Sequence, residues 1–346
     1  MHPRFIVSLY FSYVSHSGGV IDVAKNLIAG LSKTHPNDFL VLRPAFEIKN
    51  KKFRTLMRYA ADFLVSFRFY FSKTVVLFPN FLCLPLPFSR AKNVVVVHDL
   101  LFKHYPQYIN PIKRVVFNIN YKLVQKFADG VVFISQDTQD DFLARYGKPK
   151  RYTTIYNPIV LKGAGADVVR TVGPMDKPYV IANFHYYPHK NIEQLLDVFA
   201  QLHAQWPELQ IVFTGNKPPE FDALVAPNAA RGAIAHLGFL PKDQVMALIR
   251  DAAFFMSMSQ FEGFNMSAAE AALLNKPLVL SDIPVHRELF TECSYFVDLN
   301  SRTVDIASIV DFVQQHKPSQ PAFAAQVQPE VVAQRYWDFI DEVSKG

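Results

Sequence analysis

Short runs of β-branched and other apolar residues alternate with amphipathic segments along the whole chain. This alternation admits few folds other than parallel sheets covered by helices. In the first half the runs predict strands at 4–10, 39–42, 75–78, 94–97, 131–134 and 153–155, with helices at 20–32, 53–71, 112–127 and 138–146. In the second half they predict strands at 179–182, 210–213, 234–237, 254–258 and 278–280. Between the first two of these, Ile192, Leu195, Leu196, Phe199 and Leu202 recur at helical spacing and predict a helix over 191–205. Periodicity breaks at 157–178, where Gly163, Gly165, Gly173 and three prolines fall. The expected α/β organisation is therefore a Rossmann-like domain over 1–160, a linker over 161–178 and a second Rossmann-like domain over 179–325. A final helix over 326–346 packs back on the first domain. Two such doubly wound domains would face each other across a central cleft, and sheets of this kind bind nucleotides at the carboxyl ends of their strands.

Half of the 346 residues are hydrophobic and 19% are charged, enough apolar material for two cores, which excludes wholesale disorder. The net charge of +6 hides an asymmetry: residues 1–160 carry 22 basic against 9 acidic side chains, and the remainder 14 against 21. Cys83 and Cys293, in different halves, form no disulfide framework and no cysteine metal site, in keeping with a reducing, cytoplasmic compartment. Arg4 followed by an apolar stretch imitates a short leader. A buried first strand, a turn at Gly18-Gly19 and a helix bearing Val20, Ala24, Leu27 and Leu31 account for every residue there. The longest uncharged apolar run, 74–89, is interrupted by Pro79, Pro85 and Pro87 and is too short to cross a bilayer as a helix.

Most of the chemistry is concentrated in FFMSMSQFEGFNMSAAEAALLNKPLVLS, residues 254–281. It places Glu262 in a loop after a strand, then Gly263, Phe264 and Asn265, then a helix carrying Glu270 that Asn275 and Pro277 end. A helix N-terminus beside a glycine offers N–H groups and a positive dipole end to a diphosphate. A carboxylate further along can accept hydrogen bonds from a ribose diol. Each piece also has an ordinary structural reading: Glu270 as a solvated helix residue, Glu262 as a helix cap, Gly18-Gly19 as a tight turn, and Ser135 as the residue that starts a helix.

Two glutamates separated by seven residues in this context resemble the E-x(7)-E motif of retaining GT-B glycosyltransferases, family 4 in particular. Gly18-Gly19 resembles the N-terminal glycine pair of that family, and VVVVHDL (94–100) its strand ending in a sugar-contacting histidine, here His98. VVFISQDT (131–138) and IYNP (155–158) resemble the end of its first domain. HKN (189–191), FTGN (213–216) and HLGFL (236–240) resemble its basic phosphate site and two nucleotide-contacting loops. The resemblance implies a GT-B fold in which Glu262 and His98 are catalytic. It implies that Gly18, Gly19, Lys190, Gly215, Asn216, Leu240, Gly263, Phe264, Asn265 and Glu270 bind the donor. It also implies retention by attack on the same face of the sugar, without a covalent Glu262 intermediate. Two positions depart from the family pattern: His189 stands where a second cation is usual, and Asn183-Phe184 where a glycine is common. No Asp-x-Asp sequence occurs, so no metal or other cofactor is expected, and charge on the leaving group must be met by Lys190 and backbone dipoles.

The stretch 49–73 is basic, with seven Lys or Arg against Asp62 alone, and carries an aromatic, amphipathic pattern. Lys51, Lys52, Arg54, Arg58 and Arg68 suit an anionic membrane surface on the inner face of a cytoplasmic membrane. The expected activity is transfer of a hexose, mannose from GDP-mannose before UDP-glucose or UDP-N-acetylglucosamine. The acceptor would be lipid-linked or saccharide, in polysaccharide or lipopolysaccharide synthesis. HDLLFKHYP (98–106), which looks like bacterial mannosyltransferases, carries the sugar preference. The alternative is a non-catalytic GT-B-like membrane scaffold or partner subunit. Nucleic-acid binding, suggested by the basic first half, lacks a recognition module.

Overall fold

The computed structural model describes residues 4–9, 18–43, 60–61, 64–80, 89–161, 177–183, 187–217, 219–301 and 303–346. The chain forms two compact units, Met1–Val160 with Ala325–Gly346, and Leu161–Ala324. Each is built on a six-stranded, wholly parallel sheet covered by helices.

The first sheet holds β1 (Phe5–Ser8), β2 (Phe39–Leu42), β3 (Val75–Phe78), β4 (Lys92–Val97), β5 (Gly130–Phe133) and β6 (Tyr152–Thr154), in the order β2-β1-β3-β4-β5-β6. Its central strands are apolar on both faces, as burial under two helix layers requires: Val75, Val76, Leu77 and Phe78 are all buried. Each such side chain contributes about 1.5–3 kcal/mol relative to exposure. On one face Val65, Tyr121, Val124 and Phe142 join Val76, Phe78, Val95, Val97, Val131 and Phe133 in one core cluster. The other helix layer contains Gly18–Thr34, which buries Val23, Ala24, Leu27 and Leu31, and it packs against the C-terminal helix Pro329–Lys345. Gly30 makes that approach possible, because a Cβ there would lie 2.1 Å from the Pro329 carbonyl oxygen. Gly130 does the same beneath Phe339 and Val343, each 2.9 Å from where its Cβ would be.

Two expectations change here. Gly18-Gly19 is not a turn but the first two residues of the helix, because the helix already begins at Gly18. The predicted helix over 53–71 is helical at 60–61 and 64–68, and residues 69–71 already form a turn. Lys51, Lys52, Arg54 and Arg58 lie outside the described residues, as does most of the predicted linker. Arg68 is described, its guanidinium 5.7 Å from the centre of the Phe69 ring.

The second sheet holds β7 (Tyr179–Asn183), β8 (Gln210–Thr214), β9 (Ile234–His236), β10 (Phe254–Ser257), β11 (Leu278–Ser281) and β12 (Ser294–Val297), in the order β12-β11-β10-β7-β8-β9. The order reverses between β7 and β10, which pair through Phe254 and Val180. Sheets of this design bind ligands beside the carboxyl ends of the strands at such a reversal. Strand β12 was not anticipated, since SYFV is short and only partly buried on a sheet edge. Helices Ile192–Gln205 and Ile306–Gln315 pack on one face through Leu195, Leu196, Phe199 and Ile309.

Candidate functional site

The residues singled out in the second half gather along the carboxyl edge of the second sheet. The loop after β7 closes in a helical turn over Pro188–Lys190, and the Gln260 N–H after β10 donates to the His189 carbonyl at 2.8 Å. That tie brings together the two loops at the strand reversal. Lys190 Nζ then donates to Glu262 Oε1 at 2.6 Å, with both side chains largely buried. Burial works to raise the Glu262 pKa, but Lys190 and the Ser259 hydroxyl outweigh it and hold the carboxyl below the usual range. Glu262 is therefore ionised at neutral pH.

His189 carries no charge there. Burial and the neighbouring Lys190 push its pKa down to about 4, and its ring stacks on Tyr187 with centroids 5.6 Å apart. Of the two adjacent basic residues, only Lys190 is cationic at pH 7.

Asn265 positions the glutamate helix Met266–Leu273. Its backbone is left-handed, with φ of 63°, and its side-chain oxygen accepts from the Ala268 N–H at 3.2 Å. Glu262 is thus not the helix cap. The Asn265 amide also donates to His286 Nε2 at 2.9 Å, while His286 Nδ1 donates to the Ser281 carbonyl at 2.9 Å. Those two bonds fix the neutral tautomer of a fully buried ring, and burial lowers the His286 pKa to about 4. Ser281, the last residue of β11, donates through Oγ to the Ser259 carbonyl at 2.5 Å. One network therefore links the ends of β7, β10 and β11.

Glu270 is 3% exposed, which rules out the solvated-helix reading. Its Oε1 accepts from Lys242 Nζ at 2.5 Å. Lys242 and His286 were both missed by sequence reasoning. Lys242 lies 28 positions from its partner with no spacing to betray it, and a histidine inside PVHRELF looks like any helix residue. Gly215, at φ of 105°, donates its N–H to the Gly238 carbonyl at 2.8 Å, so the loops after β8 and β9 are tied together. Asn216 is exposed beside them, Leu240 and Gly263 are half-buried, and Phe264 is buried. Asn183 ends β7, and Phe184 lies outside the described residues.

The other candidates belong to the first unit. His98 follows β4, is buried, and donates through Nε2 to the Pro79 carbonyl at 2.8 Å. Burial lowers its pKa, so the ring is neutral and Nδ1 is its acceptor. Among the described residues, a Cβ placed on Gly19 would meet no atom within 4 Å. Ser135 caps the helix Gln136–Tyr146 by accepting from the Thr138 N–H, and Asn26 donates to the Pro158 carbonyl at 3.1 Å. Among the described residues no three His, Cys, Asp or Glu side chains are grouped to hold a metal ion. Nor is any helix among them long and apolar enough to cross a membrane.

Comparison with known proteins places the family and the fold. A GDP-mannose:cellobiosyl-diphosphopolyprenol alpha-mannosyltransferase of Xanthomonas campestris is 24% identical over 240 residues, 67% of this chain and 60% of that protein. The chain thus matches about 60% of the length of its curated relatives. Among solved structures, HepE of Anabaena in complex with UDP-glucose superposes with a TM-score of 0.69 at 15% identity, over 99% of both chains. WaaG, a glycosyltransferase involved in lipopolysaccharide biosynthesis, superposes with a TM-score of 0.65 at 13% identity, over 99% of this chain and 98% of that one. These two establish the fold as GT-B. Residues 18–162 match the family described as Glycosyltransferase Family 4 and residues 169–317 the one described as Glycosyl transferases group 1, so the chain belongs to the group 1, family 4 glycosyltransferases.

Proposed function

We propose that this protein is a metal-independent, retaining hexosyltransferase. In this reading it transfers mannose from GDP-mannose to a lipid-linked or oligosaccharide acceptor during synthesis of cell-surface polysaccharide or lipopolysaccharide. The observation that carries the reading is the buried Lys190–Glu262 pair, 2.6 Å apart at the strand reversal of the second sheet. Both groups are charged and desolvated before any donor arrives, which is the preorganisation that charge development on a leaving diphosphate calls for.

A small rotation of Lys190 away from Glu262 presents its ammonium to the donor diphosphate, together with the positive end of the helix that starts after Asn265. Glu262, released, accepts from a hydroxyl of the sugar. Glu270 accepts from the ribose diol. His98, with Nε2 committed to Pro79, offers Nδ1 as acceptor to a hydroxyl of the transferred sugar. The acceptor hydroxyl attacks from the face the diphosphate leaves, so the anomeric configuration is retained.

GDP-mannose is the preferred donor because the Xanthomonas relative is named for it, and UDP-hexoses are the competitors because HepE was crystallised with UDP-glucose. The acceptor class follows from the polyprenol in the same relative's name. The protein is proposed to act as a peripheral protein on the inner face of the cytoplasmic membrane, held by the basic stretch 49–73. A panel of nucleotide sugars, assayed for hydrolysis and transfer with and without EDTA, tests the donor and the metal independence together. Retention is read from the product anomer by NMR. If Glu262→Gln and Lys190→Met, both correctly folded, keep near-normal transfer, the site is wrongly assigned.

A further inference from the structure

The helix Pro111–Phe127, which follows β4 in the first unit, has two apolar faces. One is ordinary: Tyr121 and Val124 sit in the core cluster with Phe117 packed against it. The other is a stripe at i, i+3, i+4 and i+7 formed by Ile112, Val115, Val116 and Ile119, which are 75, 56, 40 and 51% exposed. A helix of a water-soluble surface keeps that face polar. Further along, Lys122 and Lys126 stand three and seven positions after Ile119, so they continue the same face toward the C-terminus, and both are exposed. Lys113 and Arg114 are exposed in the first turn, and the helix has no Asp or Glu. Positive charge is concentrated enough to act on a neighbour: burial, then Arg145, Lys122 and Arg114, hold the Lys103 ammonium below the usual lysine range.

We infer that this exposed face of Pro111–Phe127 is a docking surface for an anionic lipid bilayer, with the aliphatic stripe among the acyl chains and Lys122 and Lys126 at the headgroups. The charge selects the occupant. A protein groove would complement the aliphatic residues, but the accompanying cations, with no carboxylate among them, match a sheet of lipid phosphates. The surface extends along the same helix layer, where Val65 enters the same core cluster while Leu64, Phe67 and Phe71 face outward beside Arg68. The inference deepens the peripheral-membrane part of the reading above. It places contact on a helix outside the stretch 49–73, and it does not depend on which sugar is moved.

Co-sedimentation of the full chain with phosphatidylcholine vesicles, with and without phosphatidylglycerol, tests it. The wild type is expected to sediment with the anionic vesicles alone. I112E/I119E, which alters only exposed positions, is expected to lose binding at least tenfold with an unchanged circular dichroism spectrum and Tm. K122Q/K126Q is expected to weaken it about thirtyfold at low salt. Wild-type binding that I112E/I119E retains would overturn the assignment of this helix while leaving membrane association to residues 49–73. No wild-type binding to either vesicle overturns both, and transfer to a soluble acceptor, measured separately, still reports on the enzyme. A wild-type dimer in light scattering that I112E/I119E makes monomeric would also overturn it, since a second copy would then be the occupant.

Discussion

The two sheets share a parallel plan, yet the candidate site residues at the carboxyl edges of their strands differ in charge. After β7 and β10 the second sheet holds ionised groups, Lys190 on Glu262, with Lys242 on Glu270 one helix further along. At the corresponding edge of the first sheet, among the described residues, His98 is uncharged and spends Nε2 on the Pro79 carbonyl, the neighbouring Asp99 carboxylate accepts from the Leu101 N–H, and the helix after β1 opens with two glycines. In the second unit two lysines are thus spent on carboxylates of the candidate site, Lys190 largely buried and Lys242 partly exposed, whereas His98 in the first unit carries no charge. Binding an anion depends on where a charge is fixed and desolvated, not on the sum over a domain.

If that contrast is functional, the largest effects lie in the second unit. Glu262→Gln or Lys190→Met should lower the rate of transfer by about 10²–10³, the scale of losing one preorganised group at a site of charge development. Initial rates, compared at matched folding by circular dichroism, check this, and a loss under tenfold breaks the comparison. The same edge should also make the protein sensitive to acid. His286 is neutral in the fold because its pKa is held at about 4, below its ordinary value of 6.5. Its contribution is complete above pH 6.5 and disappears as the pH falls toward 4, a loss of about 3 kcal/mol. The depressed Glu262 carboxyl adds to the decline below its ordinary value of 4.5. Urea melts at pH 7 and pH 4.5 should show at least that loss, and His286→Asn should reduce it while the part carried by the buried His189 remains.

Smaller effects sharpen the contrast further. His98→Ala should reduce kcat about 10–100-fold and leave affinity for a free nucleoside diphosphate unchanged, as for a residue that accepts one hydrogen bond from the sugar. Calorimetry beside steady-state kinetics separates the two, and an equal loss in nucleotide affinity would place His98 elsewhere. The smallest expected change is at Lys242. Lys242→Met should weaken nucleotide binding about fivefold, on the scale of one partly exposed ion pair that orients Glu270, and Lys242→Arg should restore it. Tighter binding by Lys242→Met would instead make Lys242 a competitor of the ribose.

The β-branched runs were enough to find eleven of the twelve strands among the described residues, within two residues or so at each end, because buried parallel strands read as near-continuous apolar runs. Strand β12 escaped because an edge strand needs only one neighbour and little burial. In the second half, motif order alone placed Lys190, Gly215, Glu262, Asn265 and Glu270 on one sheet edge. What stayed hidden are long-range pairings: Lys242 with Glu270, and His286 with Asn265 and Ser281. A lysine 28 positions from its carboxylate leaves no periodic trace, since its pairing is a product of strand order. The outward stripe of Pro111–Phe127 was equally invisible. Alternating apolar residues on a helix say how many faces are apolar, but only the packed structure says which one the core takes.

Gly30 and Gly130 were described above as places where two elements come close, and that closeness sets a timetable for biosynthesis. The strands of the first sheet are all made once Thr154 has been added, yet one helix of its cover is Pro329–Lys345. At ordinary rates of translation the gap amounts to roughly 10–40 s, during which the whole second unit is made. Throughout that interval the surface around Gly130 that Phe339 and Val343 will cover is open to water and to chaperones. The first unit to be synthesised is therefore the last to be finished. Pulse proteolysis of ribosome-stalled chains ending before residue 329 should cut the first unit readily, and chains extended through Lys345 by a tunnel-spanning linker should resist.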